Sequence, residues 1–277
     1  MQFIKRLFDF YLNSSIHVAL AVCCLSWVTL ADFNIGIELN LIYFTFFATI
    51  TGYNFVKYFG LAKFHHRKLA SWLKYIQIFS FLSFLGLLYF TLKLETKTLL
   101  YLAGLGVVTF LYAIPFLPKK YFLDKNKNLR AISGLKIYVI AFVWAITTVV
   151  IPLISEDYTI DSDVIVTVFQ RYLFVFVAML PFEIKDMLFD NIKLSTVPQK
   201  IGIKKTKIIG IVLLILFGLM EFLKDNTSES KIMIVIIITV LMLGFLLFSN
   251  KNRQKYYSSF WVEGIPIIWM VLTLYFT

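Results

Sequence analysis

Nine stretches of this chain are apolar enough and long enough to cross roughly 30 Å of hydrocarbon. They fall at 15–32, 37–59, 73–92, 98–117, 131–154, 164–182, 207–223, 231–249 and 258–277. Inside a bilayer no water is present to satisfy backbone N–H and C=O groups, so each run must satisfy its own as a helix. The composition agrees: 60% of the 277 residues are hydrophobic, far more than a soluble domain carries. The longest polar stretch between runs, about 24 residues, is too short for a soluble domain. The expected fold class is an all-α integral membrane protein, a bundle of about nine transmembrane helices forming one polytopic domain over 1–277.

Charge alternates along the connections. "AKFHHRK", "PKKYFLDKNKNLR", "EIKDMLFDNIKLSTVPQKIGIKKTK" and "NKNRQKYY" follow the second, fourth, sixth and eighth runs and are rich in lysine or arginine. "ADFNIGIELN", "LETK", "SEDYTIDSD" and "KDNTSES" lie between them and are largely acidic. The positive-inside rule then places the N-terminus in the cytoplasm and the C-terminus outside. The net charge of +11 is accounted for by topology and calls for no nucleic acid. Ile-, Lys- and Phe-rich usage fits an AT-rich bacterial genome, which makes the bacterial plasma (inner) membrane the expected location. Cys23 and Cys24 are adjacent within an apolar run, which suits neither a disulfide framework nor a zinc site. The start "MQFIKRLFDFYLNSS" is amphipathic and basic and lacks a small-residue cleavage site, so the first span is expected to be retained.

The sharpest polar feature is "PFEIKDMLFDN", Pro181–Asn191. Glu183, Asp186 and Asp190 are spaced i, i+3, i+7 and share one helix face. Such acids can hold Mg²⁺ while leaving positions for phosphate oxygens. On spacing alone, a solvated helix end pairing with Lys185 or Lys193 is the commoner arrangement. Charges within spans cost about 2.5–3.5 kcal/mol each at a helix centre. Arg171 lies mid-span and is expected to face the bundle interior, with Glu221 and Glu263 as candidate carboxylate partners. Lys136 is close enough to the cytoplasmic end to snorkel, or to reach an anion there. Glu263, one turn into the last run, reads as an interfacial acid. Gly104, Gly106, Gly210 and Gly218 permit close helix approach.

With its continuation "STVPQKIG" (Ser195–Gly202), the acidic segment resembles the UbiA superfamily of membrane prenyltransferases. Those proteins have nine helices with a cytoplasmic N-terminus. They carry a D-x-x-D-x-x-x-D motif after the sixth helix, then a T-L-P-x-x-L-G phrase. Two softer likenesses are "LYAIPFLPKK" at the end of the fourth run and "LRAISGLKIYVIAFVWAITTVVIP" across the fifth. The first acidic motif of that family, N-D-x-x-D, corresponds to Asn54–Tyr58; Asn54 is kept, but Phe55 and Tyr58 stand at the aspartate positions.

The resemblance implies transfer of a polyprenyl group from a prenyl diphosphate to an apolar or aromatic acceptor. Asp186 and Asp190, assisted by Glu183, would then bind Mg²⁺, and Asn54, Lys57, Lys119 and Lys136 would contact the diphosphate. Cations standing in for the missing aspartates would bind the diphosphate by charge-assisted hydrogen bonds. The alternative is a catalytically silent protein of the same fold that binds a lipid or a partner membrane protein. A transporter is disfavoured, because no repeated half or pair of broken helices is visible.

Overall fold

The computed structural model describes residues 2–58, 71–113, 135–187, 196–252 and 256–276. Asp190, Lys119 and the basic loop from Lys63 to Lys68 lie outside the described residues. The chain runs through α1 (Gln2–Asn13), α2 (Ile16–Asp32), α3 (Leu39–Tyr58), α4 (Ser71–Thr91) and α5 (Thr96–Ala113). Next come α6 (Leu135–Ala145), a π-helical turn (Ile146–Val150), α7 (Ile151–Ser155) and α8 (Ser162–Asp186). The remainder is α9 (Val197–Leu219) with a 3₁₀ end (Met220–Leu223), α10 (Glu229–Leu247), a second π-helical turn (Tyr257–Val262) and α11 (Ile265–Phe276). Seven of these helical segments are long and apolar enough to cross a membrane, and α1 with α2 makes an eighth, bent pair. The helix beginning at Thr96, expected as the fourth span, is apolar but shorter. The chain is a multi-pass helical membrane protein.

The turns have local causes. After α2, Asn34 takes φ 54°. The Ile35 N–H then reaches the carbonyl of Leu30 at 2.8 Å, and that of Asn34 reaches Ala31 at 3.1 Å. This is a Schellman motif, with Asn in the left-handed position that short polar side chains tolerate. The end of α7 repeats it: Asp157 at φ 52° and a bond of 2.9 Å from Tyr158 N–H to Leu153 O. Asp161 caps α8 by accepting from Val164 N–H at 2.9 Å.

Two irregularities position the candidate site. Ser15 is fully buried and has φ 65°, a strained value for a residue with a Cβ, and it bends α1 away from α2 by 54°. Near the start of α9, Gly202 sits at φ 81°, ψ 158°, which breaks the first turn from the long apolar part. Gly210 on the same helix is a close-approach site, since a Cβ there would lie 2.5 Å from Leu246 Cδ2 and 2.9 Å from Leu180 Cδ1. Gly104 and Gly106 have nothing within 4 Å of such a Cβ, so the close approach expected of them is not made within the described chain.

The main core joins α2, α6, α8, α9, α10 and α11, through Leu25, Ile137, Phe174, Leu214, Met242 and Trp269 among others. A second core joins α3, α4, α5 and α7. The last helix packs against α2, so the bundle closes on itself. One end of the bundle carries the ends of α3 and α8 and the starts of α4, α6 and α9; it is the end of the basic loops.

Candidate functional site

At the basic end, the expected diphosphate-binding residues of α3 turn towards the α1–α2 corner. Asn54 is buried; its Nδ2 donates to Ser14 O at 3.0 Å and to Ser80 Oγ at 2.8 Å. Its Oδ1 accepts from Ser15 Oγ at 2.8 Å. Lys57 Nζ donates to the same Ser15 hydroxyl at 2.8 Å and lies 5.9 Å from the centre of the Tyr53 ring. Tyr58 donates to Asn13 O at 2.8 Å. Residues at the positions of the family's first acidic motif thus fasten the bend at Ser15. Phe55, at the other aspartate position, is exposed.

Around this corner lie further polar groups, of which His17, Tyr11 and Tyr53 were not singled out in the sequence. His17 is buried, and its Nε2 lies 2.9 Å from Phe260 O. A carbonyl can only accept, so Nε2 carries the proton, and in the neutral ring Nδ1 accepts from Tyr11 OH at 2.7 Å. Glu263, read from sequence as an interfacial acid, is half-buried at the end of the second π-helical turn. Tyr53 accepts from Trp144 Nε1 at 2.8 Å, tying α3 to α6. A histidine and a tyrosine six residues apart were the only sequence signal of this network, and across a bent helix pair that spacing has no periodic meaning.

Across the bundle end, Glu183 is buried near the end of α8, and its Oε2 accepts from Val197 N–H at 3.2 Å. The acceptor therefore sits on the exposed N–H groups at the start of α9, where a carboxylate is favoured. Gln199 Oε1 accepts from Thr196 N–H at 2.9 Å and secures the same turn. Asp186 ends α8 and is half-buried, with Lys185 beside it. Among the described residues, no three His, Cys, Asp or Glu side chains gather to hold a metal ion. The donor set suits Mg²⁺ only if Asp190, the third acid of the face, is counted with Asp186, because Glu183 is engaged with α9.

Arg171 faces the interior, fully buried, as its place in the span led us to expect. Its partners differ from the expected carboxylates. Nη1 donates to Leu25 O at 2.9 Å and to Thr148 Oγ1 at 3.2 Å, and Nη2 to Thr29 Oγ1 at 3.3 Å. The guanidinium also lies 5.1 Å from the centre of the Trp269 ring. Thr148 belongs to the first π-helical turn, and Thr29 donates to its carbonyl at 2.7 Å. Glu221 is occupied elsewhere, accepting from Gln170 at 2.9 Å, Lys224 at 2.8 Å and Thr227 at 3.1 Å. Arg171 therefore joins α2, the π-helical turn, α8 and α11, towards the middle of the bundle.

End to end, the structure resembles a solved structure of a digeranylgeranylglyceryl phosphate synthase in membranes. The TM-score is 0.57 at 16% identity, with 98% of this chain and 97% of that chain covered. The likeness shows that the two chains share a fold, an all-helical membrane bundle. No protein-family model matches the sequence, and neither does any curated protein.

Proposed function

We propose that this protein transfers a prenyl group from a prenyl diphosphate to an apolar or aromatic acceptor within the bilayer. The observation that carries the reading is the end-to-end likeness to a synthase whose product name contains isoprenoid chains and a phosphate. The acids near the end of α8 and the cations near the end of α3 and the start of α6 support it. In such a transfer the allylic carbon–oxygen bond breaks, diphosphate leaves with the electron pair, and the acceptor bonds to the allylic carbon and loses a proton. Lys57 and Lys136, with Lys119 from outside the described residues, would take the charge of the diphosphate. Asp186 and Asp190 would hold Mg²⁺, which supplies further neutralisation of the leaving group. Glu183 would act by fixing the start of α9 beside them. Aromatic side chains such as Tyr53 and Trp144 would shield the allylic cation. The positive-inside pattern supports a cytoplasmic site in a bacterial plasma membrane, with the N-terminus inside.

A second reading, a silent protein of this fold that binds a lipid or a partner membrane protein, is favoured by the use of Asn54, Lys57 and Tyr58 as fasteners of the bend. Purified protein in nanodiscs, incubated with radiolabelled prenyl diphosphates and a panel of acceptors, separates the two. Transfer requires lipid-soluble label and released diphosphate, with more than a tenfold loss in Asp186→Asn. Absence of diphosphate binding at high protein concentration would rule out transfer and leave the silent reading.

A further inference from the structure

We propose that the groove between α1 and α4 holds a phospholipid with an anionic headgroup, its phosphate on Arg6 and one acyl chain running inward along α4. The groove has a volume of about 460 Å³, within the ~300–1,000 Å³ of small-molecule sites. Its α1 wall is Phe3, Leu7 and Phe10, with Arg6 the one charged side chain among the described lining residues. The α4 wall is Tyr75, Ile78, Phe79 and Leu82. Along α4 the chain enters from the basic end, so Leu82 lies about 10 Å deeper than Tyr75 at ~1.5 Å per residue. The groove therefore offers one cation among otherwise apolar or aromatic walls, as a lipid headgroup and tail require.

The surroundings point to lipid as the occupant. α4 is long and apolar enough to span a membrane, and Tyr75, Ile78 and Leu82 on its groove side are 65%, 50% and 57% exposed. The 54° bend sets α1 apart from the bundle axis. One face of α1 is held by aromatic contacts of Phe8 with Tyr256 and Phe260, at 5.1 and 5.0 Å. Its Phe3, Ile4 and Leu7 remain 72%, 71% and 54% exposed, the pattern of a helix lying in the membrane interface. Charge decides the headgroup. Lys5 and Lys74 stand near Arg6 in sequence or at the start of α4, and both are exposed. The acid of α1, Asp9, accepts from Tyr256 OH at 3.0 Å on the side of the second π-helical turn. Such a site would exist whether or not the chain transfers prenyl groups.

Native mass spectrometry of the full-length protein, delipidated in detergent and titrated with phosphatidylglycerol or phosphatidylcholine of matched chains, tests the site. Each basic residue at a membrane surface contributes roughly fivefold to binding of anionic lipid, so phosphatidylglycerol should be retained at least about fivefold better. Arg6→Glu should abolish that preference, and Leu82→Trp, which fills the groove, should weaken both lipids. Both positions border the open groove, and unchanged circular dichroism and melting temperature confirm that the variants fold. Equal retention of the two lipids would overturn the proposal. So would a preference that survives Arg6→Glu, or a dimer mass free of lipid that Leu82→Trp disrupts.

Discussion

A buried side chain in a membrane bundle is held by whatever polar group stands opposite it, and for Asn54 that group is the bend of α1. Replacing Asn54 with alanine removes its bonds to Ser14, Ser15 and Ser80 and leaves a buried carbonyl and hydroxyls short of partners. The expected loss is about 1–3 kcal/mol, read as a lower melting temperature in detergent. Phe55→Ala, at an exposed neighbour, should leave the melting temperature nearly unchanged. Arg171 is the other demanding residue. Its planar fork spans Leu25 O, Thr148 and Thr29 while stacking on Trp269. Lysine offers a point charge without that fork, so Arg171→Lys should also destabilise by about 1–3 kcal/mol on thermal melting.

Among the elements, α9 depends on one backbone conformation. Gly202 adopts φ 81° and ψ 158°, a combination essentially closed to residues with a Cβ. Gly202→Ala should cost about 1–3 kcal/mol and displace the first turn, where Val197 N–H meets Glu183. A cysteine-accessibility measurement on that turn would report the displacement. Gly104→Ala, on α5 with open space around it, should be tolerated and serves as the comparison. The bend between α1 and α2 shows the same dependence. Ser15, at positive φ, donates to Asn54 and accepts from Lys57, so the bend is tied to α3.

At the scale of the whole molecule, the two ends of the bundle differ in sign. At the acidic end, Lys97 pairs with Asp157, while Glu38 lies near Glu95 and Glu156. Burial, then the two neighbouring glutamates, raise the Glu38 carboxyl above its ordinary value of 4.5. A raised carboxyl favours the protonated form in the folded state, so stability falls as pH rises from 4.5 through the raised value. Glu38→Gln should therefore raise the melting temperature at pH 7, and the gain should vanish below pH 4.5. A gain that is the same at both pH values would contradict this account.

Nine spans were expected, and among the described residues seven helices, or eight with the bent α1–α2 pair, are long and apolar enough. The multi-pass helical fold, the place of most apolar segments and the interior direction of Arg171 are legible in the sequence. They follow from quantities summed over about twenty residues, or from a cost so large that only one placement avoids it. The family resemblance likewise pointed to the fold that the end-to-end likeness shows. The partners of single side chains were not legible. Glu221 and Glu263 looked like mates for Arg171, yet carbonyl and hydroxyl oxygens on α2 and a π-helical turn take that place. Asn54 and Lys57 looked like diphosphate ligands, and their hydrogen bonds go to a strained serine some forty residues earlier. Hydropathy marks most of the segments that enter the membrane, because the bilayer acts on each segment separately. Only the tertiary structure decides which polar atoms meet, because a bend at one φ angle or a π-helical turn rotates every side chain beyond it.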